Sequence, residues 1–137
     1  MRVLVVEADP QVRRSLTYAL LELGCEVSAT GNARAALDTL AVVHPDAILL
    51  DGDLPGMDAS EFLAEQRRRP GVAAIPVLVA TGAPGAGSGD FPGAGVVLKP
   101  VSAEELLTAL RFITGEAGER PAPRAGGDGV PDLVDGR

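Results

Sequence analysis

Pro45-Asp46-Ala47-Ile48-Leu49-Leu50-Asp51-Gly52-Asp53 sets four consecutive apolar residues directly before two carboxylates. A strand with one face in water alternates apolar and polar residues, whereas a strand covered on both faces of a parallel sheet reads as a continuous apolar run. Ala47 to Leu50 therefore predicts a buried parallel strand, with Asp51 where it leaves the core. A carboxylate held there without a partner is costly, which argues that it has a task. Val3 to Val6 and Val77 to Ala80 are equally continuous, and weaker runs at Val27 to Ala29 and Val96 to Leu98 bring the predicted strands to five.

Helical patterns lie between these runs. Pro10 suits a first turn, Val12, Leu16, Leu20 and Leu23 mark one face, and Gly24 suits the C-terminal stop. Asn32 to Ala41 carries Ala33, Ala36, Leu37 and Leu40 at helical spacing before His44-Pro45 breaks the pattern. Asp58 to Arg69 predicts a third helix capped by Asp58 with Glu61, and the basic run Arg67-Arg68-Arg69 complements its C-terminal dipole. Ser102-Ala103-Glu104-Glu105 is a capping box leading into Leu106, Leu107, Leu110 and Phe112. Phe112 and Ile113 fit either the core or a dimer surface. Strands alternating with helices predict an open, doubly wound α/β fold with a parallel sheet covered on both faces.

Two stretches resist regular structure. Residues 82–95 hold six glycines and two prolines, so the helix expected between the fourth and fifth strands is predicted to be missing or reduced to one turn. Residues 115–137 hold nine glycines or prolines and predict a disordered tail after a single domain over 1–114. The net charge of −7 without an aromatic-basic patch argues against direct nucleic-acid binding. No apolar run is long enough to span a bilayer or form a signal peptide, so a cytoplasmic protein without membrane insertion is expected. Cys25 stands alone, which excludes an internal disulfide, and is expected to be a half-buried strand residue.

The chemistry gathers at the predicted strand ends. Glu7-Ala8-Asp9 follows the first strand, Asp51-Gly52-Asp53 the third, Thr81 the fourth and Lys99-Pro100 the fifth. Lys99 is the single lysine in a chain with eleven arginines, and its compact ammonium suits a tight anionic pocket better than a guanidinium fork. In open α/β sheets the binding crevice lies beyond the carboxyl ends of the strands. Two carboxylates about 4 Å apart there repel by about 4 kcal/mol, so such a cluster titrates anomalously or binds a hard cation such as magnesium. With a lysine and a hydroxyl to hold an oxyanion, a carboxylate can then accept a phosphoryl group. His44, placed before Pro45 at a helix end, is expected to be exposed and is not a phosphoryl relay.

These residues resemble the receiver domain of two-component response regulators. The resemblance covers residues 1 to about 114 and rests on five features. They are Val3-Leu4-Val5-Val6 before an acidic segment, Pro45 to Asp51, Leu54-Pro55-Gly56-Met57-Asp58, Thr81-Gly82 and Lys99-Pro100. It implies the flavodoxin-like receiver fold with strand order 2-1-3-4-5. It also implies that Asp51 is the phosphoacceptor, that Thr81 bonds the phosphoryl group and that Lys99 pairs with it. Magnesium would be held by Glu7, Asp51 and the backbone carbonyl of Asp53.

Three positions depart from the family pattern. Ala8 stands where the second acidic ligand is expected, which predicts magnesium binding that is weakened or lost. Asp9 can either substitute for that ligand or cap the first helix. Val96 stands where a switching aromatic is usual, with no other aromatic read as close by in sequence, and the Gly-rich loop replaces a helix that carries switching surface. The expected function is therefore an atypical receiver, not an enzyme, that takes phosphate weakly on Asp51 from a histidine kinase or phosphotransfer protein. It would signal to an output protein by direct contact. The alternatives are a phosphorylation-independent pseudo-receiver and, more remotely, a small haloacid-dehalogenase-like phosphatase built on Asp51-Gly52-Asp53.

Overall fold

The computed structural model of the protein describes residues 1–82 and 90–116. Nine elements follow in order: β1 (Arg2–Val6), α1 (Pro10–Glu22), β2 (Glu26–Thr30), α2 (Ala33–Val43), β3 (Ala47–Asp51), α3 (Ala59–Arg67), β4 (Val77–Thr81), β5 (Gly95–Leu98) and α4 (Ala103–Ile113). The five strands form one sheet in the order β2-β1-β3-β4-β5, and every adjacent pair is parallel.

Continuous apolar strands serve two cores at once, because successive side chains of a strand point to opposite faces. On one face Val3, Val5, Leu49 and Leu78 meet Leu20 of α1 and Leu106, Leu107 and Leu110 of α4. On the other, Leu4, Val6, Ile48, Leu50 and Val79 meet Leu37 and Leu40 of α2 and Phe62 and Leu63 of α3. The strands β1, β3 and β4 sit inside the sheet, whereas β2 and β5 are its edges and are only partly buried.

Caps stop and start the helices where the sequence places them. Asp58 accepts from the Glu61 N–H while Glu61 accepts from the Asp58 N–H, and Ser102 and Glu105 repeat the arrangement at α4. Asp9 accepts from the backbone N–H groups of Gln11 and Val12 and so caps α1. Gly24, at a φ of 95°, turns the chain after α1. The second helix runs beyond the predicted Ala41 to Val43, because His44 itself takes the left-handed conformation at a φ of 48° and ends it. His44 is exposed, as expected.

Two expectations need correction, and one open alternative is decided. Cys25 is buried, but it precedes β2 instead of lying in it. Phe112 does not join the core: it is 74% exposed. An aromatic does lie five residues before Val96 in the sequence, Phe91, and it packs against the cluster on the α2–α3 face. Within the Gly-rich connection, residues 83–89 lie outside the described residues. In the described part, 90–94, the chain makes a turn closed by Ala94 N–H to the Phe91 carbonyl. Arg67 of α3 donates to the Pro92 carbonyl and anchors that turn. The tail predicted over 115–137 lies outside the described residues beyond Glu116.

One buried polar side chain ties α3 to the following turn. Gln66 is 2% exposed, and its Nε2 donates to the carbonyls of Val72 and Ile75, both at 3.0 Å. Gln66→Leu keeps the volume and leaves two carbonyls without these donors. A loss of about 2 kcal/mol is expected, read as a lower urea midpoint at unchanged m.

Candidate functional site

The sheet order places the ends of β1, β3, β4 and β5 along one rim. The centre of that rim is Asp51, the last residue of β3, whose side chain is 6% exposed. Lys99, directly after β5, extends its Nζ to within 2.8 Å of Asp51 Oδ1, and its backbone N–H donates to the Thr81 carbonyl at 2.9 Å. The Lys99–Pro100 bond that follows is cis. A second donor, the Asp53 N–H, reaches the same Asp51 oxygen at 3.0 Å.

Glu7 closes the rim from the β1 side. It is buried, its N–H donates to the Thr30 carbonyl, and its carboxylate accepts from the Asp9 N–H at 3.1 Å. Burial pushes its pKa up. The Asp9 N–H opposes that shift, while the charge of Asp51 and a hydrogen bond shared with it push in the same direction. Burial by itself lowers Lys99, yet the hydrogen bond to Asp51 and the charges of Asp51, Glu7 and Asp53 outweigh it and hold the ammonium above the ordinary lysine range. One cation thus faces three carboxylates, the third being Asp53, whose Oδ2 lies 3.7 Å from Lys99 Nζ.

Thr81 is buried at the end of β4, against the backbone of Gly52. A Cβ at residue 52 would stand 2.9 Å from the Thr81 Cβ and 3.2 Å from the Ala80 carbonyl oxygen. Neither neighbour is the far end of a flexible side chain, so the glycine is what lets Asp51 and Thr81 sit side by side. Gly52→Ala is expected to cost about 1–3 kcal/mol of stability by overpacking and to displace the Thr81 resonances, measured by thermal unfolding and amide NMR.

The geometry brings together Glu7, Asp51, Asp53 and Lys99 by hydrogen bonds and charge contacts and sets Thr81 beside them. It removes Asp9 as a substitute ligand, because its carboxylate is committed to the cap of α1. Sequence reasoning passed over Arg13, whose Nη1 donates to the carbonyls of Glu7 and Ala8 at 2.8 and 3.4 Å and so holds the acidic segment in place. The available signal was its position one turn after the Asp9 cap.

For the magnesium ion that the resemblance implies, the donor chemistry fits in a reduced form. Magnesium is bound through one or two carboxylates while keeping several waters. Glu7 and Asp51 supply two such carboxylates in hydrogen-bond contact. The methyl group of Ala8 packs against the apolar cluster on the α2–α3 face. Among the described residues, no group of three His, Cys, Asp or Glu side chains is arranged to hold a metal. Because a proton on Glu7 competes with the cation, affinity is expected to rise with pH by up to about tenfold per unit until Glu7 is ionised, measured by titrating Mg2+ at several pH values. The stability carried by Glu7 has the opposite sign. With its folded pKa raised, that contribution is full below the ordinary glutamate range and is lost as pH climbs through the folded value.

Comparison with known proteins assigns the family and the fold. The response regulator receiver domain family matches residues 3–111. Response regulator MprA of Mycolicibacterium vanbaalenii is 37% identical over 122 residues, covering 82% of this chain and 50% of that protein. The DNA-binding response regulator MtrA of Mycolicibacterium smegmatis is 30% identical over 122 residues, covering 88% of this chain and 54% of that protein. The chain therefore spans about half the length of these curated relatives. Among solved structures, the chemotaxis protein CheY4 of Vibrio cholerae superposes with a TM-score of 0.74 at 24% identity, over 82% of this chain and 97% of that one. The receiver domain of the sensor histidine kinase PA1611 of Pseudomonas aeruginosa, solved with a magnesium ion coordinated in its active-site cleft, superposes at 0.75. That alignment is 24% identical and covers 83% of this chain and 97% of the other. No helix among the described residues is long and apolar enough to cross a membrane. With the strand order, the rim around Asp51 and the family match over 3–111 in agreement, the chain belongs to the response regulator receiver domains of two-component signalling.

Proposed function

We propose that this receiver accepts a phosphoryl group on Asp51 from a phosphohistidine of a histidine kinase or phosphotransfer protein, inefficiently, and signals onward by protein contact and not by an enzymatic activity of its own. The observation that carries the reading is the buried Asp51 carboxylate with Lys99 Nζ at 2.8 Å and Glu7 and Thr81 beside it. An oxygen of Asp51 attacks phosphorus, the O–P bond forms, the N–P bond to the donor imidazole breaks, and the imidazole leaves with the bonding pair. Lys99 balances charge on the equatorial oxygens, and the Thr81 hydroxyl donates to one of them. Glu7 and Asp51 would hold magnesium, which would supply neutralisation of the phosphoryl charge. The loss of a carboxylate at Ala8 weakens that neutralisation, and with it the rate.

A second reading, a module that binds its partner without phosphate, is favoured by the same Ala8 methyl turned to the apolar cluster. Titration with Mg2+ and beryllofluoride, followed by amide NMR, separates the two. Shifts of the Thr81 and Lys99 amides at millimolar Mg2+ are expected. An unchanged spectrum under saturating mimic would leave the phosphate-independent module as the function.

A further inference from the structure

Gly31 follows β2, and a Cβ added there would stand 2.8 Å from Arg13 Nη1 and 3.9 Å from the Glu7 carbonyl oxygen. The backbone at Gly31 does not take a positive φ, so space and not conformation explains the glycine. It leaves a slot for the half-buried Arg13, whose Nη1 donates to the carbonyls of Glu7 and Ala8 at 2.8 and 3.4 Å.

Glu7 is thereby held at backbone and side chain alike. Its N–H donates to the Thr30 carbonyl at 3.0 Å, its carbonyl accepts from Arg13, and its carboxylate accepts from the Asp9 N–H at 3.1 Å. Arg13 closes the arrangement, since its own N–H donates at 2.9 Å to the carbonyl of Asp9, the cap of α1. A guanidinium bond to a carbonyl is charge-assisted and so stronger than a neutral one. Magnesium demands near-ideal geometry of its ligands. With a methyl group at Ala8, the site leans on the carboxylates of Glu7 and Asp51, and how firmly Glu7 is held counts for more.

We propose that Arg13, seated in the slot left by Gly31, is a positioning residue for magnesium, acting through the Glu7–Ala8 peptide that it pins. The inference rests on the reading that Glu7 and Asp51 hold the ion. Charge and position pull in opposite directions here. A guanidinium beside Glu7 repels a second cation, so charge alone would make Arg13→Gln bind Mg2+ more tightly, whereas loss of the pin makes it bind more weakly.

The test is Mg2+ titration followed at the Asp51, Thr81 and Lys99 amides by NMR. It is run on Arg13→Gln, Gly31→Ala and the double variant, each in the native and the Ala8→Asp chain. Gly31→Ala keeps the charge and displaces the guanidinium, the free end of a flexible side chain, so the fold survives; thermal unfolding without Mg2+ checks this. Each single variant is expected to weaken Mg2+ binding by about tenfold, the low end for partners outside the coordination shell. The double variant should bind no more weakly than Arg13→Gln, because Gly31→Ala then has nothing to displace. Unchanged or tighter binding in Arg13→Gln would overturn the proposal, as would additive losses in the double variant. If Mg2+ moves the Ala8→Asp chain and not the native one, the magnesium reading of the native site fails while the Ala8→Asp series still decides the role of Arg13. No response in either chain would overturn both.

Discussion

Asp51→Asn is expected to abolish phosphoryl incorporation from phosphoramidate and Mg2+, while the native chain slowly gains the mass of one acid-labile phosphoryl group. The donor has the P–N bond of a phosphohistidine, so the measurement isolates the chemistry of the receiver from recognition of a kinase. An amide oxygen in place of the carboxylate is a poor nucleophile, and the substitution also removes the charge that holds Lys99 Nζ at 2.8 Å. Lys99→Ala leaves the nucleophile and removes the fixed cation. A rate lower by about 10²–10³ is expected, the size of losing one preorganised electrostatic contact to a developing charge. Incorporation that persists in Asp51→Asn at the native rate would place the acceptor elsewhere, and the proposed function would fail with it.

Ala8→Asp is expected to tighten Mg2+ binding by about 10–100-fold, since even partners outside the coordination shell change metal affinity by that much. The gain has a cost in the metal-free protein. A third carboxylate beside Glu7 and Asp51 adds like-charge repulsion, and the methyl contact of Ala8 with the apolar cluster is lost. The variant should therefore unfold at a lower temperature than the native chain without Mg2+ and recover that loss when Mg2+ is added, because a ligand that binds only the folded state stabilises it. Thermal unfolding with and without the ion reads both halves. Equal Mg2+ affinity in the two proteins would show that the methyl at residue 8 is not what limits the site.

The structure also explains which expectations were within reach of sequence. The runs Val3 to Val6, Ala47 to Leu50 and Val77 to Ala80 became the three interior strands, because burial on both faces leaves a continuous apolar signature that needs no partner to be read. The capping boxes at Asp58 and Ser102 are local, with both halves inside one turn, and they formed as their spacing predicts. Cys25 and Phe112 were harder. A buried residue just outside a strand and an exposed aromatic at the end of an apolar helix face depend on which neighbours arrive, and β5 has none on its outer side among the described residues. Phe91 was missed because the glycines and prolines around it read as loop, whereas its side chain packs against the α2–α3 cluster.

By itself the sequence determined the strands, the caps and the residue types at the strand ends, since hydrophobic period, capping chemistry and turn chemistry all act within a few residues. Only the tertiary structure decided that Lys99 and Asp51, 48 positions apart in the chain, meet through a charge-assisted hydrogen bond at 2.8 Å. It also decided that Asp9 is committed to a helix cap, that Gly52 makes room for Thr81, and that Phe112 lies open beside β5. These outcomes follow from the order in which parallel strands are laid side by side. That order is set by long-range pairing of both sheet faces with the helices that cover them, a sum of contacts that no local stretch of the chain contains.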